Sequence, residues 1–221
     1  MITLTGTPTL RTARLTLRAP HPGDLDAFIA YFATDRSQFT GGPKTAREAW
    51  NYFGTEIGHW VMRGHGMFTV TRHGDDTALG IVGHWHPNTW PEREIGWVLF
   101  DPADEGQGIA FEAAQACLEH AYDTLNWDTA VSYIAPENTA SIALAERLGA
   151  TLDTDAAPPP STIPAAVYRH LSPSLFEKNP PRRAGQPQPQ TSTQGAQAAT
   201  SANMASRASA SAGSPGSEGT P

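Results

Sequence analysis

The sequence predicts an α+β domain built around one sheet whose strands run in both directions. Apolar residues recur at helical spacing in two early segments, and three strand-like runs with hairpin-sized connections follow them. After a glycine-containing stretch the pattern changes to helix, strand, helix and strand, which is typical of crossover connections between strands.

The first elements are one strand and two helices. Residues 15–18 alternate apolar and polar side chains like a strand, and residues 25–32 form a helix behind a cap at Asp24 or Gly23. Residues 46–62 are predicted to form a second, amphipathic helix. Its expected buried stripe consists of Trp50, Phe53, Ile57 and Trp60 or Val61.

The three strands that follow form an antiparallel meander. They are residues 67–72, 78–86 and 92–100, and the two connections between them are rich in Gly, Asp, Asn and Pro. Beyond the glycines the sequence predicts two helices, each followed by a strand. These elements are a helix over residues 109 to about 126, a strand over 129–135, a helix over 139–148 and a strand over 165–170.

Charge and cysteine content exclude several classes of function. Fifteen Lys and Arg against 22 Asp and Glu give a formal charge of −7, which argues against nucleic acid because phosphate binding needs clustered positive charge. Cys117 is the single cysteine among 221 residues, so no internal disulfide forms. We find neither an export signal nor the ~18 apolar residues of a membrane span, and we expect a cytoplasmic protein without membrane contact.

The composition changes sharply near the end of the chain. Residues 173–221 are dominated by Pro, Gly, Ser, Ala, Gln and Thr. Such a segment buries too little apolar surface to offset its ordering entropy. We predict a disordered tail, and a linker or docking segment is the functional alternative.

Two glycines, Gly106 and Gly108, separate the apolar run 95–100 from the helix that begins at Ile109. The free backbone N–H groups of a helix start, together with its dipole, favour an anion, and glycine lets a diphosphate approach the main chain. The alternative is a plain β-to-α turn. A P-loop would need Gly-Lys-Ser/Thr here and a dinucleotide fingerprint a third glycine at Phe111, and neither motif is present.

Taken in order, these features resemble the GCN5-related N-acetyltransferase (GNAT) superfamily, and within it the branch of ribosomal-protein alanine acetyltransferases. The resemblance covers residues 12–171 as one domain and rests on the joint order of several short segments. These segments are residues 14–18 (RLTLR), 79–83 (LGIVG), 94–99 (EIGWVL), 105–110 (EGQGIA), 136–141 (PENTAS) and 144–150 (LAERLGA).

The resemblance implies the GNAT fold, a central mixed and mostly antiparallel sheet flanked by helices, in a monomer or homodimer. It implies an N-acetyltransferase that uses acetyl-CoA and no metal. The acceptor is a primary amine, on a protein N-terminus or a small molecule, that attacks the thioester directly. The residues implied to bind acetyl-CoA are Val98, Leu99, Phe100, Glu105, Gly106, Gln107, Gly108, Ile109, Ala110, Asn138 and Ser141.

Two positions depart from the family pattern. Glu105 stands where relatives carry Arg or Gln beside the diphosphate, so the backbone donors of the loop are expected to carry most of the binding. Ala145 stands where many relatives carry a tyrosine that protonates the departing thiolate. These departures motivate an alternative function, a non-catalytic CoA-binding sensor or adaptor of the same fold.

Acetyl transfer to an amine requires a base, because an alkyl ammonium must lose its proton before it attacks. Glu94 is the candidate, since it lies on the strand that leads to the glycine loop. The alternative is a surface carboxylate paired with Arg93 or Arg72. The resemblance further implies that a backbone N–H near Val98 or Leu99 stabilises the tetrahedral intermediate.

Two hydroxyls are candidates for the general acid. Ser141 is ranked first because the alanine-acetylating branch carries Ser there, although a helix first-turn residue often bonds only locally. Tyr133 is the second candidate, and it could equally be a core aromatic residue. A coenzyme A thiol is also acidic enough to leave without a protein acid.

The segment His84-Trp85-His86 is assigned to the acceptor groove. Strand alternation places both imidazoles on one face, as metal ligands would lie, but no Cys or acidic residue nearby completes a ligand set. The acceptor groove is expected around residues 39–43 and 85–90. Cys117 is expected to be a small buried hydrophobic residue.

Overall fold

The computed structural model describes residues 4–161 and 163–172, which form an eight-stranded sheet with helices on both faces. The strands are β1 (Leu10–Arg11), β2 (Leu15–Arg18), β3 (Met67–Arg72), β4 (Gly80–Trp85), β5 (Glu94–Leu99), β6 (Thr129–Ile134), β7 (Thr151–Leu152) and β8 (Ala166–Leu171). The helices are α1 (Leu25–Phe32), α2 (Ala46–Arg63), α3 (Ile109–Asp123) and α4 (Thr139–Arg147).

The strand order is β1-β2-β3-β4-β5-β6-β8-β7, and each neighbouring pair is antiparallel except β5 and β6. The predicted α+β class and the mixed, mostly antiparallel sheet are therefore confirmed. None of the helices within residues 4–161 and 163–172 is both long and apolar enough to cross a membrane.

Most elements agree with the sequence prediction to within three residues at either end. The two-residue strands β1 and β7 were not predicted, because two residues are too few to show a periodic pattern. The predicted tail, residues 173–221, lies outside the described residues. The domain limits of 12–171 stay a prediction.

Helix α2 buries Phe53 and Trp60 of the predicted stripe, but Trp50 is not part of the covered face. Its covered face is formed by Ala49, Phe53, Glu56 and Trp60, whereas Trp50 is 60% exposed. The prediction for Trp50 is therefore wrong, and Val61 is exposed as well. Each residue advances a helix by about 100°, so Ala49 and Trp50 cannot share one stripe, and the packed interior selected the smaller residue.

The two faces of the sheet pack against different helices. Leu15, Phe68 and Val82 belong to the core beneath α3. Met67 and Ile81, their neighbours in the strand alternation, pack against α1 and α2 on the opposite face. Which face a strand residue occupies therefore decides whether it can reach a site beside α2.

A buried ion pair joins α1 to the sheet. The carboxylate of Asp24 accepts hydrogen bonds from both terminal nitrogens of Arg18 (2.7 and 2.8 Å), from the His21 amide and from the Thr69 hydroxyl (2.8 Å). Burial alone would raise the pKa of Asp24, but these hydrogen bonds outweigh it and hold the pKa below its ordinary value. Asp24 is the N-cap residue of α1, as predicted, but its side chain binds Arg18 and makes no hydrogen bond to the start of the helix.

We predict that Asp24→Ala lowers the free energy of unfolding by about 3 kcal/mol, because it leaves a partly buried guanidinium without its main partner. Asp76→Ala is the matched control, since Asp76 also binds Arg18 but its side chain is 69% exposed. The control is expected to lower the free energy of unfolding by about 1 kcal/mol or less. Urea denaturation measures the free energy of unfolding of both variants. Equal losses of stability would contradict the conclusion that Asp24 is the main partner of Arg18.

Candidate functional site

The candidate site lies where strands β5 and β6 separate. In the described sheet these two strands share a single ladder pair, Glu94 with Val131, whereas β5 pairs with β4 along its whole length. The Ser132 hydroxyl donates to the Ile95 carbonyl at 2.7 Å. Beyond this point the strands diverge, and two adjoining cavities open into the gap.

The first cavity, the loop groove, has a volume of about 640 Å³ and ends at the N-terminus of α3. Gly106 and Gly108 have φ values of 73° and 77°, which favour glycine, and Gly108 provides no side-chain cap for the helix. The first N–H groups of a 15-residue helix therefore remain available to a ligand. Such a helix start binds anions, including a diphosphate.

Nine of the residues predicted to bind acetyl-CoA line this groove. They are Val98, Leu99, Glu105, Gly106, Gly108, Ile109, Ala110, Asn138 and Ser141. Phe100 and Gln107 are not among its lining residues, and their assignments stay predictions. The Phe100 ring packs against Phe28 and Tyr31, and Arg14 holds the Gln107 carbonyl at 3.1 Å.

A basic side chain does reach the glycine loop, from an unexpected part of the chain. Arg36, in the turn after α1, lines the loop groove and donates to Glu105 at 2.5 Å. It also donates to the carbonyl groups of Leu99 and Phe100. Sequence reasoning missed Arg36, because nothing in its local sequence indicates a contact with a loop that lies 69 residues further along the chain.

The second cavity, the acceptor cavity, has a volume of about 340 Å³. Two carboxyl groups, of Glu56 and Glu94, lie in its wall together with the rings of Tyr52, Trp85 and Trp90. Residues 39–41 of the predicted acceptor loop also line it. The two cavities are contiguous, because both are lined by Phe39, Thr40, Trp97, Val98, Asn138 and Ser141.

Glu94 lies half-buried in the acceptor cavity. Its Oε2 accepts a hydrogen bond of 2.7 Å from the Trp90 indole. Burial raises the pKa of Glu94 to about 7, although hydrogen bonds from Trp90 and the Tyr133 backbone oppose the shift. The alternative ion pairs do not form, since Arg72 pairs with Asp104 and Arg93 lies over the Trp127 ring.

The two candidate acids occupy different places. Ser141 lines both cavities, and its Oγ accepts a hydrogen bond of 3.2 Å from the Trp97 indole, so this bond does not use the proton of the Ser141 hydroxyl. Tyr133 lines only the acceptor cavity, and its hydroxyl has no partner among the described residues. Burial raises the pKa of Tyr133 to about 12, so it is a weaker acid than free tyrosine.

Of the three residues predicted to bind substrate, only Trp85 lines the acceptor cavity. His84 is fully buried on the opposite face, where its Nε2 donates to the Cys117 carbonyl at 3.0 Å. His86 lies outside the lining, and its amide donates to His59. The assignment of His84 is therefore wrong, because strand alternation points His84 toward α3 and Trp85 toward α2. The assignment of His86 stays a prediction.

The described residues contain no group of three or more His, Cys, Asp or Glu side chains that could hold a metal ion. Burial instead lowers the pKa of His84 to about 4, so this imidazole is neutral inside the core. Cys117 is buried nearby, as expected for a small hydrophobic residue.

Two wall residues of the acceptor cavity, Tyr52 and Glu56, were not predicted. The sequence does hold a signal for Glu56, which falls three residues after Phe53 and four before Trp60, on the apolar stripe of α2. An acidic residue on such a stripe calls for an explanation, since charged groups are almost never fully buried without a partner.

Comparison with known proteins identifies relatives with the same fold. The family model described as "Acetyltransferase (GNAT) domain" matches residues 14–151. An acetyltransferase from Agrobacterium tumefaciens is 38% identical, with a TM-score of 0.71, over 78% of this chain and 99% of that chain. RimL, a ribosomal L7/L12 alpha-N-protein acetyltransferase crystallised with coenzyme A, has a TM-score of 0.60 at 20% identity, over 74% of this chain and 98% of that chain.

The uncharacterized N-acetyltransferase YnaD of Bacillus subtilis is 39% identical over 82 residues, which are 37% of this chain and 48% of that protein. The match thus spans about half the length of this curated relative. The likeness to RimL shows the fold alone. Because the family model matches more than half of the sequence, across β5, the glycine loop and α4, the chain belongs to the GNAT acetyltransferase family.

Proposed function

We propose that this protein transfers an acetyl group from acetyl-CoA to a primary amine by direct attack of the amine on the thioester. One observation carries the proposal: Glu94, whose pKa burial raises to about 7, lies in a cavity that joins the anion-binding loop groove. A carboxyl group with this pKa is ionised in part of the molecules at neutral pH and accepts a proton effectively there.

The residues of the loop groove fit acetyl-CoA. The uncapped start of α3 and the glycines at 106 and 108 supply backbone donors for a diphosphate. Arg36 adds a guanidinium beside that loop. RimL holds coenzyme A within the same overall fold, which supports a CoA site here.

In the proposed reaction, Glu94 accepts a proton from the acceptor ammonium, directly or through water. The neutral amine then forms a bond to the thioester carbonyl carbon, and the negative charge moves to the carbonyl oxygen. A backbone N–H near Val98 or Leu99 stabilises that oxygen. When the carbon–sulfur bond breaks, the nitrogen must lose one more proton and the thiolate must gain one. We assign this relay to Ser141, whose hydroxyl gives its proton to the thiolate and takes the nitrogen's proton in return, because Ser141 lines both cavities whereas Tyr133 lines only the acceptor cavity.

Two acceptor classes fit this chemistry, a protein N-terminus and a small amine. The ribosomal relatives favour the first by analogy of fold, and a cavity of about 340 Å³ favours a compact acceptor. The second candidate function is a non-catalytic sensor that binds CoA. The departures from the family pattern at Glu105 and Ala145 motivate it, since Ala145 supplies no hydroxyl that could protonate the departing thiolate.

We predict that Glu94→Gln lowers kcat/KM for amine acetylation by about 100-fold or more, because the amide cannot accept the proton. The rate of the unaltered protein should rise with pH through about 7, since the base acts only when deprotonated. In the variant this rise should disappear. Release of free CoA thiol across pH 5.5–9 measures both effects.

Glu119→Gln is the control for this prediction, because Glu119 is exposed on α3 and its replacement removes one charge as well. It should retain the activity of the unaltered protein. Calorimetric titration should also give the same acetyl-CoA affinity for both variants within about twofold. Binding of acetyl-CoA without turnover of any amine would favour the sensor, and the absence of binding would overturn both functions.

We predict that Glu105→Gln tightens acetyl-CoA binding by about threefold to tenfold. The substitution removes the carboxylate that neutralises Arg36, while the guanidinium keeps its bonds to the carbonyl groups of Leu99 and Phe100. Calorimetry at low and high salt measures the gain, which should shrink as salt screens the charge. Equal affinities at low salt would show that Arg36 does not act on the diphosphate.

A further inference from the structure

Glu56 is a buried carboxyl group that the proposed reaction leaves without a role. Only 2% of the residue is exposed, and it lies in the wall of the acceptor cavity. Its Oε2 is buried and has no hydrogen-bond partner among the described residues. Such an oxygen is costly to keep unless a ligand satisfies it, and so its position requires a functional explanation.

Within residues 4–161 and 163–172, no cationic side chain acts on Glu56. The groups that act on it are the Tyr52 hydroxyl, which forms a hydrogen bond, and Glu94, which repels it. Burial and this repulsion raise the pKa of Glu56 to about 8. The Lys44 ammonium is committed elsewhere, to the Gly41 carbonyl at 2.5 Å and the ring faces of Phe32 and Tyr52.

The walls around the two carboxyl groups suit a cation. The rings of Phe32, Tyr52, Trp85 and Trp90 line the cavity, and Tyr52 and Trp85 meet edge to face at 6.2 Å. Aromatic faces attract ammonium groups, most strongly where water is excluded. Trp85 lies directly opposite Glu94 across β4 and β5, so aromatic and acidic groups share one end of the cavity.

The reacting nitrogen cannot be the lasting partner of Glu56. It must become neutral before it attacks, and a second carboxylate that bound it as an ammonium would oppose this loss of a proton. Glu94 suffices to accept that proton. A carboxylate at Glu56 is therefore better suited to bind a different positive group on the same acceptor.

We propose that Glu56 binds a second cationic group of the acceptor, so that the substrates are compact primary amines that carry another ammonium or guanidinium group a few bonds from the reacting nitrogen. The inference rests on the acetyl transfer proposed above. Two positive charges then enter a cavity that holds two carboxyl groups. Glu94 deprotonates one nitrogen, and Glu56 holds the other with its free oxygen.

The test compares α,ω-diamines of three to six carbons with n-alkylamines of the same length. For the unaltered protein we expect kcat/KM for the best diamine to exceed that of its matched monoamine by about tenfold or more. In Glu56→Gln this preference should be lost, through a higher KM for the diamine and an almost unchanged KM for the monoamine. Equal use of both amines, or an equal loss for both in the variant, would overturn the inference.

A conservative variant distinguishes a binding role of Glu56 from a purely structural one. Glu56→Asp keeps the carboxylate but shortens its reach, and it should retain a preference for diamines that moves toward longer ones. If both variants lost activity toward monoamines and diamines alike, Glu56 would be a structural residue and the inference would fail. Thermal melting of each variant establishes that it is folded.

Binding separates this inference from the proposed function. Calorimetric titration of the same diamines into the protein saturated with CoA needs no turnover. Diamine binding that weakens about tenfold in Glu56→Gln, without any acetylation, would support the cation site and refute the enzyme. Acetylation of amines that does not depend on Glu56 would support the enzyme and refute the cation site.

Discussion

The functional region of this protein depends on one departure from regular sheet structure, the separation of β5 from β6 after the single pair of Glu94 with Val131. A continuous ladder there would close the sheet and leave no space between the strands. Because β5 remains fully paired with β4, the opening does not detach the strand from the sheet. The loop groove and the acceptor cavity both open from this gap, and Ser141 lies where they meet.

The acceptor cavity combines apolar walls with acidic groups, and this combination controls their chemistry. Burial makes the charged form of a carboxyl group less stable, which brings Glu94 into the range where it exchanges protons near neutral pH. Aromatic walls exclude water yet accept a cation, so they can accommodate an amine in both of its protonation states. The same walls raise the pKa of Glu56, because they keep water away from its carboxyl group.

The glycine loop illustrates how a departure from a motif is accommodated. Glu105 stands where the family pattern has Arg or Gln, and Arg36 reaches the loop from the turn after α1. The two side chains form an ion pair, so the loop gains a guanidinium without a net positive charge. Backbone donors at the start of α3 then provide the attraction for an anion that does not depend on either residue.

Sequence alone determined the order of the elements, the family resemblance, the glycine loop and the candidate base Glu94. Each depends on local periodicity or on residues adjacent in the chain, which a sequence displays directly. Tertiary structure alone decided that Arg36 meets Glu105, that Glu56 and Glu94 share one cavity, and that His84 faces α3. These facts require helices and strands distant in sequence to pack together, and the choice of one buried stripe over another, such as Ala49 over Trp50, is made by that packing.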